Sequence, residues 1–184
     1  MSIAEAKSSG PAQIRIEQTG THLSAELSGL KLSDELDDDE ILTIENALIE
    51  HQVIVFRDQK LTSEEFLRFG RQFGNLSVHP FSPADEDAPE LSVFKNDESN
   101  PPFSTDCWHS DETFRAVPPM GTMLRALDVP SFGGDTIFAS MTAAYEGLSN
   151  KMQNFISGLE AYHDFKPFRK LFSQDKDSVR NLRY

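Results

Sequence analysis

The sequence has a single cysteine, Cys107, so no internal disulfide can form and nothing in it points to an oxidising compartment. No apolar run approaches the ~20 residues of a membrane-spanning helix. Residues 1–12 are small and polar, without the apolar core of a secretory signal. A glycine-rich phosphate loop is missing as well, which removes the usual nucleotide-binding folds. Basic residues are scarce: 17 Lys and Arg stand against 30 Asp and Glu, a net charge of −13. That balance would repel a phosphate backbone, so a nucleic-acid partner is not expected. With no membrane segment either, a soluble cytoplasmic protein is the simplest reading.

Within 184 residues, 38% hydrophobic content is enough for the core of one ordinary domain. Residues 1–12 are expected to be a flexible N-terminus, and 13–184 to belong to a single domain. Residues 13–17 alternate polar and apolar as a strand does, and 22–27 can form a second. Over 36–51 the apolar residues Ile41, Ile44, Ala47 and Leu48 recur at helical spacing, with Ser33 or Asp34 available as the cap. The carboxylates of 34–40 read as a solvated helix start, since they lack the spaced ligands and turn glycine of a calcium loop. Val53-Ile54-Val55-Phe56 suits a buried strand, and Thr62-Ser63-Glu64-Glu65 matches the capping box of a helix that runs to Gly74.

Beyond that helix the pattern changes. Residues 79–102 are rich in proline and acids and read as a long loop of the kind that carries function, with only 91–94 resembling a strand. Strand-like pieces follow at 107–114, 121–127 and 136–139, separated by proline and glycine turns that suggest a sandwich or barrel. Two helices are expected at 142–148 and 151–156, the second capped by Ser149 and ended at Gly158.

The stretch with most chemical content is Trp108-His109-Ser110-Asp111-Glu112-Thr113-Phe114. In a strand, residues i and i+2 leave the same face, so His109 and Asp111 could reach one metal ion together. An imidazole and a carboxylate are two members of the facial triad of non-heme Fe(II) oxygenases, which leaves coordination positions free for a 2-oxo acid and dioxygen. Alone, a His-x-Asp pair is more often a surface or structural feature. Cys107 beside it reads as a buried inert thiol, and Trp108 as a core residue facing away from the metal.

The same heptapeptide, followed by Pro118-Pro119 and Gly133-Gly134-Asp135-Thr136, resembles the central signature of the taurine dioxygenase family. The resemblance extends upstream through 50–59 and Phe73-Gly74, and downstream through Ala143-Ala144-Tyr145-Glu146-Gly147-Leu148-Ser149 and His163-Asp164-Phe165. It implies an α+β protein built on a double-stranded β-helix, the cupin-like jelly roll, with flanking helices and incomplete at its C-terminal end. It also implies Fe(II), 2-oxoglutarate as cosubstrate, O2, and hydroxylation of a small anionic substrate such as a sulfonate, sulfate ester or aryloxyalkanoate, with release of succinate and CO2.

By the same resemblance, His109 and Asp111 are the metal ligands and Thr136 helps hold 2-oxoglutarate. His79 stands where sulfonate-acting members place a substrate-contacting histidine, and as imidazolium it could pair with an anion. Thr105 replaces an asparagine of that substrate site, Ser82 replaces a tyrosine, and Phe168 is a candidate lining residue. These departures put taurine itself in doubt. The family's second metal histidine and the arginine that grips 2-oxoglutarate lie downstream of the residues present, so the chain alone is expected to be inactive. The resemblance leaves a homo-oligomer open. The competing reading is a non-catalytic or truncated jelly-roll binding protein of the same family.

Overall fold

The computed structural model describes residues 13–79, 87–94 and 108–163. Two compact units emerge, one of Met1–Gly74 with Val129–Ser157, the other of Asn75–Asp128 with Gly158–Tyr184. The observed elements are α+β, as expected, and the strands among the described residues form one three-stranded sheet.

In the first unit, β1 (Arg15–Gln18) pairs antiparallel with β2 (Ala25–Ser28), Arg15 opposite Ser28 and Gln18 opposite Ala25. β2 then pairs in parallel with β3 (Ile54–Phe56), Ala25 opposite Ile54 and Leu27 opposite Phe56. A parallel pair cannot be closed by a tight turn, and the crossover here carries helix α1 (Asp38–His51). Ala25 and Leu27, two apart on β2, bury one face of that strand. They meet Ile44 and Ala47 of α1, Leu32 and Leu36 of the connection, and Phe69 of α2 (Ser63–Arg71) in one core cluster. Phe69 also packs edge-on against Phe56 and Phe73, at ring-centroid distances of 6.0 and 5.1 Å. β3 is half-buried rather than buried as expected, and among the described residues it is an outer strand with a ladder partner on one side only.

The stripe of Ile41, Ile44, Ala47 and Leu48 is buried or half-buried, as its spacing requires. The cap, however, is Asp37 rather than Ser33 or Asp34. Its carboxylate accepts from the Glu40 N–H at 2.9 Å, and the Glu40 carboxylate accepts from the Asp37 N–H at 3.0 Å. Asp38, Asp39 and Glu40 then occupy the first turn, where the helix dipole favours negative charge. Asp37→Ala is expected to lower stability by about 1 kcal/mol, the usual loss for a cap side chain. Urea denaturation followed by circular dichroism would check it.

Helix α2 starts as the sequence dictates, with Thr62 and Glu65 in reciprocal capping hydrogen bonds of 3.2 and 2.7 Å. Those bonds hold the Glu65 carboxyl below its ordinary pKa, the backbone N–H of Thr62 contributing most. The helix ends at Arg71, and a turn carries the chain to Gly74, whose φ of +136° few side chains tolerate.

Helices α3 (Met141–Glu146) and α4 (Asn150–Ile156) fall within a residue of their expected starts and are capped by Ser140 and Ser149. The Ser140 hydroxyl also donates to the Gln52 amide oxygen at 2.9 Å, tying the start of α3 to the residue that ends α1. The segments 121–127 and 136–139, expected as strands, form no ladder among the described residues, and 91–94 reduces to one bridge residue, Ser92. Extended sequence becomes a strand only where a second backbone runs beside it. No helix among the described residues is long and apolar enough to cross a membrane.

Candidate metal-binding site

The heptapeptide lies in the second unit, and it is not a strand. Residues 111–114 turn, the Arg115 N–H donating to the Glu112 carbonyl at 3.0 Å, and Glu112 takes a left-handed φ of 47°. The expectation that His109 and Asp111 share a strand face is therefore corrected. They nevertheless meet, because the turn folds the carboxylate back toward the ring.

His109 Nε2 lies 3.4 Å from Asp111 Oδ1, and both side chains are about half exposed. Two donor atoms bound to one metal at ~2.1 Å and a right angle are ~3 Å apart, so this separation needs only a small closure. A neutral imidazole nitrogen and a carboxylate oxygen suit a borderline divalent ion such as Fe(II). The residues present thus fit as two ligands. Among the described residues no cluster of three or more His, Cys, Asp or Glu completes the set. His163, which the sequence does not single out as a ligand, has its Nδ1 3.0 Å from the Thr113 hydroxyl.

Asp111 uses its other oxygen differently: Oδ2 accepts from the Thr122 hydroxyl at 2.8 Å. Next along the chain, the Glu112 carboxylate is almost buried and is gripped by the Arg115 guanidinium, whose Nε pairs with Oε2 and whose Nη2 lies 3.3 Å from Oε1. A buried carboxylate requires such a partner. Nη2 also donates to the Val78 carbonyl at 2.9 Å, and His79 Nε2 lies 3.9 Å from Glu112 Oε1. The pair Glu112–Arg115 therefore fastens the segment carrying His79 to the turn carrying Asp111.

Burial pushes the His79 pKa down. Glu112 opposes that shift, Arg115 adds to it and Asp111 weakly opposes it. The ring is thereby biased toward neutral imidazole at neutral pH, away from the imidazolium that the sequence suggests. Trp108 departs further from expectation, since it is 72% exposed rather than packed in a core.

Thr136 belongs to the first unit, exposed, just after Gly133 and Gly134. Both glycines have φ near +75°, and a Cβ at Gly134 would meet the Pro130 ring at 3.2 Å. The left-handed backbone at those two positions disfavours ordinary side chains. Thr105, Phe168, Cys107 and Ser82 lie outside the described residues. Sequence reasoning passes over Thr122, Glu112 and Arg115. The last two stand at i, i+3 with opposite charge, a legible signal; Thr122 is eleven residues from its partner and leaves none.

The family model described as "Taurine catabolism dioxygenase TauD, TfdA family" matches residues 15–182. An alkylsulfatase of Acinetobacter baylyi is 36% identical over 152 residues, covering 82% of this chain and 47% of its own length. A (S)-phenoxypropionate/alpha-ketoglutarate-dioxygenase of Sphingobium herbicidovorans is 35% identical over 142 residues, covering 76% and 49%. The crystal structure of a taurine dioxygenase from Burkholderia xenovorans superposes with a TM-score of 0.69 at 34% identity, covering 79% of this chain and 51% of that one. The chain spans about half the length of the curated relatives it matches.

Proposed function

Because the chain belongs to the taurine catabolism dioxygenase TauD, TfdA family, we propose that the protein is an Fe(II)- and 2-oxoglutarate-dependent dioxygenase hydroxylating a small anionic organic substrate. The observation that carries this reading is the convergence of His109 Nε2 and Asp111 Oδ1 at 3.4 Å on an accessible turn. When bound there, iron supplies the activation of O2 that couples decarboxylation of 2-oxoglutarate to succinate and CO2 with hydroxylation of the substrate. The protein's own residues bind and orient.

His109 would offer a ring nitrogen and Asp111 one carboxylate oxygen to hold the metal. Thr136 donates its hydroxyl hydrogen to a carboxylate of 2-oxoglutarate. His79, held near neutral by burial, offers an N–H to the anionic group of the substrate, whose charge would in turn favour the protonated ring. Thr105 and Phe168 are assigned to the substrate site by family resemblance, a small hydroxyl and an aromatic wall. The sulfate, phenoxypropionate and taurine named for the relatives share a small carbon skeleton carrying an anion, which supports a sulfonate, sulfate ester or aryloxyalkanoate as substrate class. The likeness to the solved taurine dioxygenase supports a double-stranded β-helix as the architecture, and a single family match supports 13–184 as part of one domain.

The test is succinate formation from 2-oxoglutarate with Fe(II) and air, against a panel of one alkyl sulfonate, one alkyl sulfate and one aryloxyalkanoate. It is run on this chain together with any continuation its gene encodes. Turnover stimulated by one panel class is expected. No iron-dependent consumption of 2-oxoglutarate with any of them would overturn the reading in favour of a non-catalytic binding protein.

A further inference from the structure

The two oxygens of Asp111 have different neighbours. Oδ1 faces His109 at 3.4 Å, whereas Oδ2 accepts the Thr122 hydroxyl at 2.8 Å. We infer that Thr122 is a positioning residue for the metal site: its hydroxyl occupies Oδ2, so that Asp111 binds the metal through Oδ1 alone. This rests on the assignment of His109 and Asp111 as ligands.

A carboxylate can bind a metal through one oxygen or both, and the choice decides how many positions remain for other ligands. With both oxygens free to turn inward, Asp111 could take a second position that the 2-oxo acid needs for its own two-oxygen chelation. A hydroxyl held at 2.8 Å on Oδ2 opposes that rotation, because chelation through Oδ2 would compete with a charge-assisted hydrogen bond to the same oxygen. It also restrains rotation of the carboxylate, whose other oxygen, Oδ1, lies 3.4 Å from His109 Nε2. Groups that orient a metal ligand in this manner change affinity by roughly 10–100-fold when removed.

Thr122 is exposed, and valine keeps its shape and β-branching while deleting only the hydroxyl. Thr122→Val therefore leaves no buried polar group unpaired and is expected to fold normally. Thr122→Ser keeps the hydroxyl and serves as the rescue.

The experiment measures Mn(II) affinity by electron paramagnetic resonance, and the visible band of the Fe(II) complex with 2-oxoglutarate under anaerobic conditions. Four proteins are compared, each with any continuation its gene encodes: unaltered, Thr122→Val, Thr122→Ser and His109→Ala. The expected result is roughly tenfold weaker Mn(II) binding in Thr122→Val, with a shifted or weakened 2-oxoglutarate band, and recovery of both in Thr122→Ser. Thermal unfolding in chelator should be the same for the threonine, serine and valine forms. Metal affinity and band unchanged in Thr122→Val, with both lost in His109→Ala, would overturn the role of Thr122 and leave the metal site standing. Full metal binding by His109→Ala, or none by the unaltered protein, would overturn the ligand assignment and the inference with it. A fall in chelator-treated stability confined to Thr122→Val would assign the hydroxyl to folding instead.

Discussion

His109→Ala should weaken divalent metal binding on the order of a hundredfold or more and abolish the Fe(II)–2-oxoglutarate absorption band, with the far-ultraviolet circular dichroism spectrum unchanged. The magnitude follows from rank: removing a group that merely orients a ligand already weakens binding roughly 10–100-fold, and the imidazole is a ligand itself. The fold should survive, because the ring is about half exposed and its loss opens no cavity in a core. Asp111→Asn separates shape from charge. The amide keeps an oxygen beside Thr122 but lacks the negative charge that holds a divalent cation at a site with few ligands, so it too should lose most of its metal affinity. Isothermal titration with Mn(II), in which the heat of binding vanishes for both variants, would check this. A variant lacking His109 that bound Mn(II) as the parent does would show that the pair at 3.4 Å is only a surface ion pair, an interaction usually contributing less than about 1 kcal/mol.

That the pair was legible in the sequence at all rests on local order. His109 and Asp111 are two residues apart, and both a strand and the observed turn at Glu112 put i and i+2 side chains on one side, so the two meet although the segment is not a strand. The capping boxes belong to the same class. Thr62 and Glu65 were readable because donor and acceptor lie within one helical turn. Asp37 obeys the same three-residue rule with Glu40, and applying it to the acidic run would have chosen Asp37 over Ser33 or Asp34.

What could not be read is what depends on distant partners. Thr122 reaches Asp111 across eleven residues, and Arg115 reaches the Val78 carbonyl across thirty-seven. The extended segments 121–127 and 136–139 have the composition of strands, yet a ladder is a property of two segments, and a single run of residues cannot report whether its neighbour is beside it. Trp108 illustrates the same point for burial, since aromatic character says that a residue benefits from cover and not that cover is present.

Leu27→Ala should destabilise the first unit by about 3 kcal/mol, within the range seen when a buried leucine is truncated. Leu27 is 2% exposed, sits on the central strand, and shares its core with Ile44 and Ala47 of α1 and Phe69 of α2. Its removal opens a void that β2 cannot close by moving, because its backbone is hydrogen-bonded to β1 on one side and β3 on the other. Ile49→Ala is the matched control: Ile49 lies on the outer face of α1 at 78% exposure, and its truncation should change stability by less than about 0.5 kcal/mol. Chemical denaturation of the two variants separates the explanations. A large loss for Leu27 alone places the stability of this unit in the contact between β2 and α1. Equal losses would mean that the apolar outer face of α1 is itself covered in solution, and the description of Ile49 as a surface residue would then be wrong.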